Sequence, residues 1–275
     1  MTEPVPGPLT AALRFKREQV LAAVDAVEPV PGAPGVLALA TPSLPRVWEL
    51  NLVLAPATAG IERVIDLADE LQSAAALEHR KLRLDGVAAA QPLRAAAELR
   101  GWTLDRELVM TFDPAAATPP HVLGRVEPID EDALAAAEDE FLAAEPYGDD
   151  PEVRRQLVAQ HSRWGRSART ARSLGIVEEG RVVAWCRTYD DGALLELDDV
   201  SVLPTCRGRG FGRELVAGVV ASAPAGRVPF LIADAADRPR NLYERLGFVA
   251  VGERLGATRA PPPAGPLSHP TQRGY

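Results

Sequence analysis

Alternating strand and helix patterns predict an α/β (α+β) fold, written as two lobes of one plan in tandem. Three observations carry this. Residues 194–202 read as a strand that Pro204 stops, followed by glycines at alternate positions 208, 210 and 212 and then by an apolar-periodic helix. A similar order of elements runs through the first half of the chain. The length, 275 residues, exceeds one ordinary domain and suffices for two.

Each element has a local reason. Residues 9–28 place apolar side chains at helical spacing, and the Pro- and Gly-rich stretch 29–35 breaks them. Residues 35–40 and 47–54 read as strands, the second ended by Pro56. A helix over 60–76, a short strand over 81–84, a helix over 92–100 and a strand over 103–112 complete the first lobe. Residues 114–120 are a linker by composition. The second lobe opens with a strand over 121–128 and a helix over 131–144, with Asp130 as its N-cap. The turn 145–148 ends that helix, and a second helix covers 152–167. Residues 175–179 and 181–189 form a hairpin around Gly180, followed by the central strand and the loop helix. A strand over 229–234, a short helix capped by Asp237 with Pro239 early in it, and a strand over 248–254 close the lobe. The expected domains are 1–113 and 121–257. Residues 258–275, rich in Pro and Gly, are expected to be disordered.

Composition narrows the class. With 47% hydrophobic residues the chain can bury a sizeable core. No run of eighteen apolar residues predicts a membrane span, and Met1-Thr2-Glu3-Pro4 begins no signal peptide. The net charge of −8 argues against non-specific nucleic-acid binding, which needs a basic footprint. Cys186 and Cys206 form no disulfide framework, so a cytoplasmic protein with free thiols is expected. The histidines (79, 121, 161 and 269) are scattered and the cysteines stand twenty apart, so no metal site is expected.

The chemistry concentrates after the central strand. A strand feeding a glycine-rich turn and a helix N-terminus makes an anion site, because first-turn N–H groups lack intrahelical partners and the helix dipole favours negative charge. Arg207, Arg209 and Arg213 add guanidinium donors suited to phosphate. Phe211-Gly212-Arg213 stands where a P-loop needs Lys-Ser/Thr. Gly210-Phe211-Gly212 lacks the third small residue of a dinucleotide fingerprint, and Asp234 alone favours a nicotinamide cofactor. Arg207-x-x-Gly210-x-Gly212 matches the Arg/Gln-x-x-Gly-x-Gly/Ala signature of GNAT acetyltransferases. Asn241-Leu242-Tyr243-Glu244-Arg245-Leu246-Gly247-Phe248 resembles that family's second landmark. The resemblance covers residues 122–257.

It implies a mixed, mostly antiparallel central sheet flanked by helices and an acetyl-CoA-dependent N-acetyltransferase. Its acceptor would be an amine on a small molecule or a peptide, and the chain a monomer or a homodimer. The family's loop would hold the cofactor through Arg207, Gly208, Arg209, Gly210, Phe211, Gly212 and Arg213. Val200 and Val202 would pair their backbone with the pantetheine arm, one N–H polarising the thioester carbonyl. Asn241 would bond the same arm, although the family's asparagine usually stands further upstream. Glu196 would be the general base, directly or through a water, with Asp198 or Asp199 as alternatives or all three as structural carboxylates. Strand alternation sets Glu196, Asp198, Val200 and Val202 on one face if no bulge intervenes. Tyr243 would be the general acid for the CoA thiolate, or a core aromatic. Tyr147, His161 and Trp164 lie where the family covers its acceptor.

The first lobe parallels the second without these parts. Pro56-Ala57-Thr58-Ala59-Gly60-Ile61-Glu62-Arg63 replaces the loop, and Ala97 stands where Tyr243 stands. A degenerate lobe that binds no acetyl-CoA is expected, with an unrelated α/β domain as the alternative. The rivals are a two-lobe acyltransferase of the mycothiol-synthase kind and a catalytically silent acetyl-CoA-sensing or partner-binding module.

Overall fold

The computed structural model describes residues 6–88, 90–117, 124–236 and 239–261. In chain order the elements are α1 (Pro8–Ala23), β1 (Ala26–Pro29), β2 (Leu37–Ala40), β3 (Val53–Pro56), α2 (Ile61–Ala74), β4 (Arg80–Asp85), α3 (Ala90–Glu98) and β5 (Thr103–Phe112). Then follow β6 (Val126–Pro128), α4 (Glu131–Ala143), α5 (Pro151–Trp164), β7 (Thr170–Glu178), β8 (Arg181–Asp190), β9 (Leu194–Val202), α6 (Phe211–Ala221), β10 (Val228–Asp234), α7 (Pro239–Arg245) and β11 (Phe248–Arg259).

The described residues fall into two compact units. One holds residues 6–107, 159–167 and 252–261; the other holds 108–158 and 168–251. These units divide inside β5, inside α5, before β7 and again inside β11. Each sequence half therefore lends the end of its last strand to the other unit.

In the first unit β1, β2 and β3 pair antiparallel, and β3 pairs parallel with β4. A parallel pair needs a crossover, which α2 supplies. β4 then pairs antiparallel with the end of β11, Gly256 opposite Arg83 through Arg259 opposite Arg80. Leu255 and Ala257 thereby join a core with Val53, Ile65, Leu82 and Leu93. In the second unit β6, β7, β8 and β9 pair antiparallel, β9 pairs parallel with β10, and α6 is the crossover. Leu108 and Met110 of β5 join a core with Trp185, Leu197, Leu215, Leu231 and Phe248. Both units thus run antiparallel strands, a parallel pair through a helix, a short helix and a last strand.

Four expectations are corrected. The first helix stops at Ala23, because Val24 is already extended and residues 26–29 pair with β2. Residues 47–54 are not one strand. Trp48–Leu50 is a 3-10 turn, held where the Asn51 carboxamide donates to the carbonyls of Leu44 and Val47 and accepts from the Thr41 N–H. The hairpin arm β7 starts at Thr170, five residues earlier than expected. The last strand runs on to Arg259, so Thr258 is buried in the first unit and not part of a disordered tail. The remaining tail, His121, His269 and the Asp237 cap lie outside the described residues. The Asp130 cap is present, its carboxylate accepting from the N–H groups of Asp132 and Ala133.

Candidate active site

The central strand β9 carries a bulge. Trp185 opposes Ser201 and Arg187 opposes Asp198, so β9 spends three steps where β8 spends two. Asp199 takes up the extra residue at φ +47°, a left-handed conformation in which Asp is tolerated better than most residues. The bulge breaks the expected single face. Leu197, Val200 and Val202 all enter the core beneath α6. Glu196 and Asp198 point to the opposite face, with Tyr189 and Arg187 opposite them on β8.

β9 also parts from β10. Their parallel ladder covers Leu194, Leu195 and Glu196 opposite Val228, Pro229 and Phe230 and then stops, although both strands continue. The ladder thus ends just before the bulge.

The loop follows. Leu203 N–H donates to the Val183 carbonyl at 3.0 Å, and a 3-10 turn covers Pro204–Cys206. Gly208 has φ +76° and Gly210 φ +88°, values that favour glycine. Gly210 is the N-cap of α6 and offers no side chain to the first-turn N–H groups. A Cβ built on either glycine meets nothing within 4 Å, so the space before the helix is open. This cradle fits a diphosphate, which would take the helix N–H groups as its donors.

The loop's arginines are unlike one another. Arg213 is exposed. Arg209 pairs with Glu178 at 2.8 Å and lies 4.8 Å from the Phe211 ring. The Arg207 guanidinium lies 5.7 Å from the Phe141 ring of α4, and its Nε donates to the Val202 carbonyl at 3.4 Å. Its side chain leans toward α4.

On the face that carries Glu196, Arg187 is buried and pairs with Glu138 of α4 and, at 2.7 Å, with Asp199. Asp199 also accepts from Trp185 Nε1 at 3.0 Å and Ser201 at 3.2 Å. Burial and the adjacent Asp199 carboxylate push the Glu138 carboxyl up to about 7 against the pull of Arg187. Burial raises Asp199 as well. Tyr147 is buried, and burial with nearby Glu145 and Asp199 raises its phenol.

Glu196 is 1% exposed and Tyr243 2% exposed. Tyr243 sits in the core of the second unit, its ring 6.0 Å from Phe248 at 66°. Asn241 is exposed on α7. The Asp234 carboxylate accepts the Ala236 N–H at 2.7 Å, a local turn. His161 and Trp164 belong to the other unit, where the Lys16 ammonium lies 5.7 Å from the Trp164 ring. The structure therefore groups Glu196, Asp198 and Asp199 with Arg187, Tyr189 and Glu138. None of these last three figured in the sequence reading. Arg187 and Tyr189 alternate along a strand paired with β9, and that alternation was the available signal. Glu138 is one acid among several on α4.

The first unit offers a contrast at the start of α2. Gly60 caps it at φ −65°, outside the left-handed region, and Glu62 puts negative charge in its first turn. An open cavity of about 530 Å³ beside it is lined mainly by apolar side chains, including Ile61 of α2, Ala96 of α3 and Leu99 just after it.

Residues 134–248 match the acetyltransferase (GNAT) family. The whole chain has the corresponding fold. It is similar to a GCN5-related N-acetyltransferase from Kribbella flavida, with TM-score 0.60 and 17% identity over 98% of this chain and 99% of that one. A second similar structure is a GCN5-related N-acetyltransferase from Sphaerobacter thermophilus, with TM-score 0.55 and 18% identity over 96% of each chain. A third is a conserved protein of unknown function from Staphylococcus epidermidis, with TM-score 0.64 and 15% identity over 87% and 96%. No curated protein matches the sequence. Among the described residues no helix is long and apolar enough to cross a membrane.

Proposed function

We propose that the second unit is an acetyl-CoA-dependent N-acetyltransferase acting on a primary amine of a small molecule or peptide, and that the first is a degenerate tandem copy that binds no acetyl-CoA. The loop carries this reading. Gly208 and Gly210 both adopt positive φ, and Gly210 caps α6 without a side chain. N–H groups of residues 207–212 would hold the diphosphate, with exposed Arg213 as a further donor. Acetyl-CoA would supply the activated acyl group as a thioester. The edge of β9 at Val200 and Val202, past the end of the β10 ladder, would hold the pantetheine arm. An amine with pKa about 10.4 is mostly protonated at neutral pH, so a base accelerates transfer. Glu196 takes that proton, and Tyr243 Oη holds the proton destined for the leaving sulfur. The two free thiols, Cys186 and Cys206, suit a cytoplasmic setting.

Calorimetric titration with CoA, followed by a thiol-release screen across small-molecule and peptide amines, tests the proposal. One CoA per chain with release for at least one amine class is expected. Two CoA per chain would show that the first unit is a working copy. CoA binding with no release in any class would identify a silent sensing module, and no CoA binding would refute the assignment outright.

A further inference from the structure

Tyr189 is 2% exposed, and among the described residues its hydroxyl is buried with no hydrogen-bond partner. A hydroxyl buried without a partner costs about 1–3 kcal/mol, so native proteins rarely leave one so. Its surroundings are polar. Tyr189 stands directly opposite Glu196 in the β8–β9 register, and opposed side chains on paired strands stand about 5 Å apart at Cβ. Asp198 lies two residues along on the same face, and Asp199 and Arg187 are close enough to bear on the phenol. From α4, Glu138 pairs with Arg187 on this face. Burial and Asp198 push the phenol up, so Tyr189 stays a neutral donor at any working pH. A donor with no partner beside a buried carboxylate is the setting in which proteins hold an ordered water.

We propose that Tyr189 is a positioning residue: its hydroxyl and the Glu196 carboxylate hold a water between them, through which Glu196 deprotonates the acceptor. The inference rests on the reading of Glu196 as base. Tyr189 O–H donates to the water, and the water donates to Glu196. When the acceptor's ammonium gives its proton to the water, the water passes one of its own to Glu196. The products are a neutral amine, an unchanged water and a carboxylic acid. Tyr189 exchanges no proton and only fixes the water.

Tyr189→Phe keeps the ring and removes the donor. In a crystal of the wild-type protein, a water within hydrogen-bond distance of both Tyr189 Oη and Glu196 is expected, and it should be lost in Y189F. Losing that water removes a hydrogen-bond donor to the ionised carboxylate. The Glu196 carboxyl, followed by carbon-13 NMR of labelled glutamate and assigned with Glu196→Gln, should therefore titrate about one unit higher in Y189F. A merely structural tyrosine would lower the melting temperature and leave that titration in place. A wild-type crystal with no such water, or a Glu196 titration unmoved in Y189F, overturns the proposal. The crystal decides alone if Y189F does not fold. CoA calorimetry on the wild type separates the two failures. Normal CoA binding with an unmoved titration sinks only the Tyr189 role, whereas absent CoA binding sinks the transferase reading.

Discussion

Each unit buries an arginine among carboxylates, and the two clusters reach opposite electrostatic states. In the first unit Arg83 bridges Glu49 and Glu107, Lys81 pairs with Glu49 and Asp105, and Arg254 pairs with Glu107. Thr258 completes the set by donating to Asp105. Three cations meet three anions. Burial raises Glu107, but Arg254 and Arg83 outweigh it and hold the carboxyl at about 2. In the second unit Glu138 and Asp199 share Arg187, and burial with mutual repulsion lifts Glu138 to about 7. The loops differ in the same sense, Gly60 being an ordinary cap and Gly210 a left-handed one. The first cluster balances its charges internally. The second keeps a raised carboxyl, an unpartnered phenol and a left-handed glycine cap on its loop helix.

The contrast is sharpest where a cation is removed. Arg83→Met should destabilise the protein by about 3–5 kcal/mol in urea titration, because it strips two buried carboxylates of a shared cationic partner. Arg187→Met should cost less at pH 6 than at pH 8, because Glu138, raised to about 7, is already mostly protonated at pH 6 and ionised at pH 8. Equal losses for Arg187→Met at both pH values would break the comparison.

Position 243 comes next. Tyr243→Phe keeps the packing against Phe248 and removes the hydroxyl, so kcat should fall by about 10²-fold with little change in melting temperature. Full activity in Tyr243→Phe, with an unfolded Tyr243→Ala, would make Tyr243 as structural as its counterpart Ala97.

Stability against pH separates the clusters directly. The Glu107 carboxyl is held below its ordinary 4.5, so its contribution is complete above about pH 4.5 and is lost as pH falls toward 2. The Glu138 carboxyl is raised, so the folded state binds the extra proton and stability falls as pH climbs from about 4.5 to 7. Glu138→Gln should therefore gain on the order of 2 kcal/mol relative to wild type at pH 8, and Glu107→Gln should lose a similar amount at neutral pH. Denaturation midpoints at pH 5 and pH 8 check both signs.

The smallest effect concerns the loops. Gly210→Val should weaken CoA at least about tenfold, or ~1.4 kcal/mol, while Gly60→Val leaves CoA affinity alone. Equal effects would mean that both helix ends serve the cofactor.

Much of this was legible along the chain. Thr103–Phe112 and Leu194–Val202 fall where alternation and prolines put them, because each is decided by its own residues. The loop was legible because glycine is the usual answer to a positive φ. Elements decided by distant partners were not legible. β11 runs past Arg254 because β4, some 170 residues earlier, offers it a ladder. The 3-10 turn at Trp48–Leu50 depends on one asparagine reaching three backbone groups. The bulge was the costliest omission. Asp199 carries a left-handed φ without a glycine to announce it, and one extra residue moved Val200 and Val202 to the face opposite Glu196.

The lent strand ends have a consequence for how the protein is made. Leu255 and Ala257 belong to the same core as Val53 and Leu82, yet the ribosome adds them some 170 residues after β4. Domains are commonly completed in order of synthesis, the N-terminal one first. Here the earliest-made half must wait, its β4 edge unfilled, until some 170 further residues have emerged. A nascent chain arrested after β5 would therefore present a half-built sheet to chaperones, closed only once β11 has emerged.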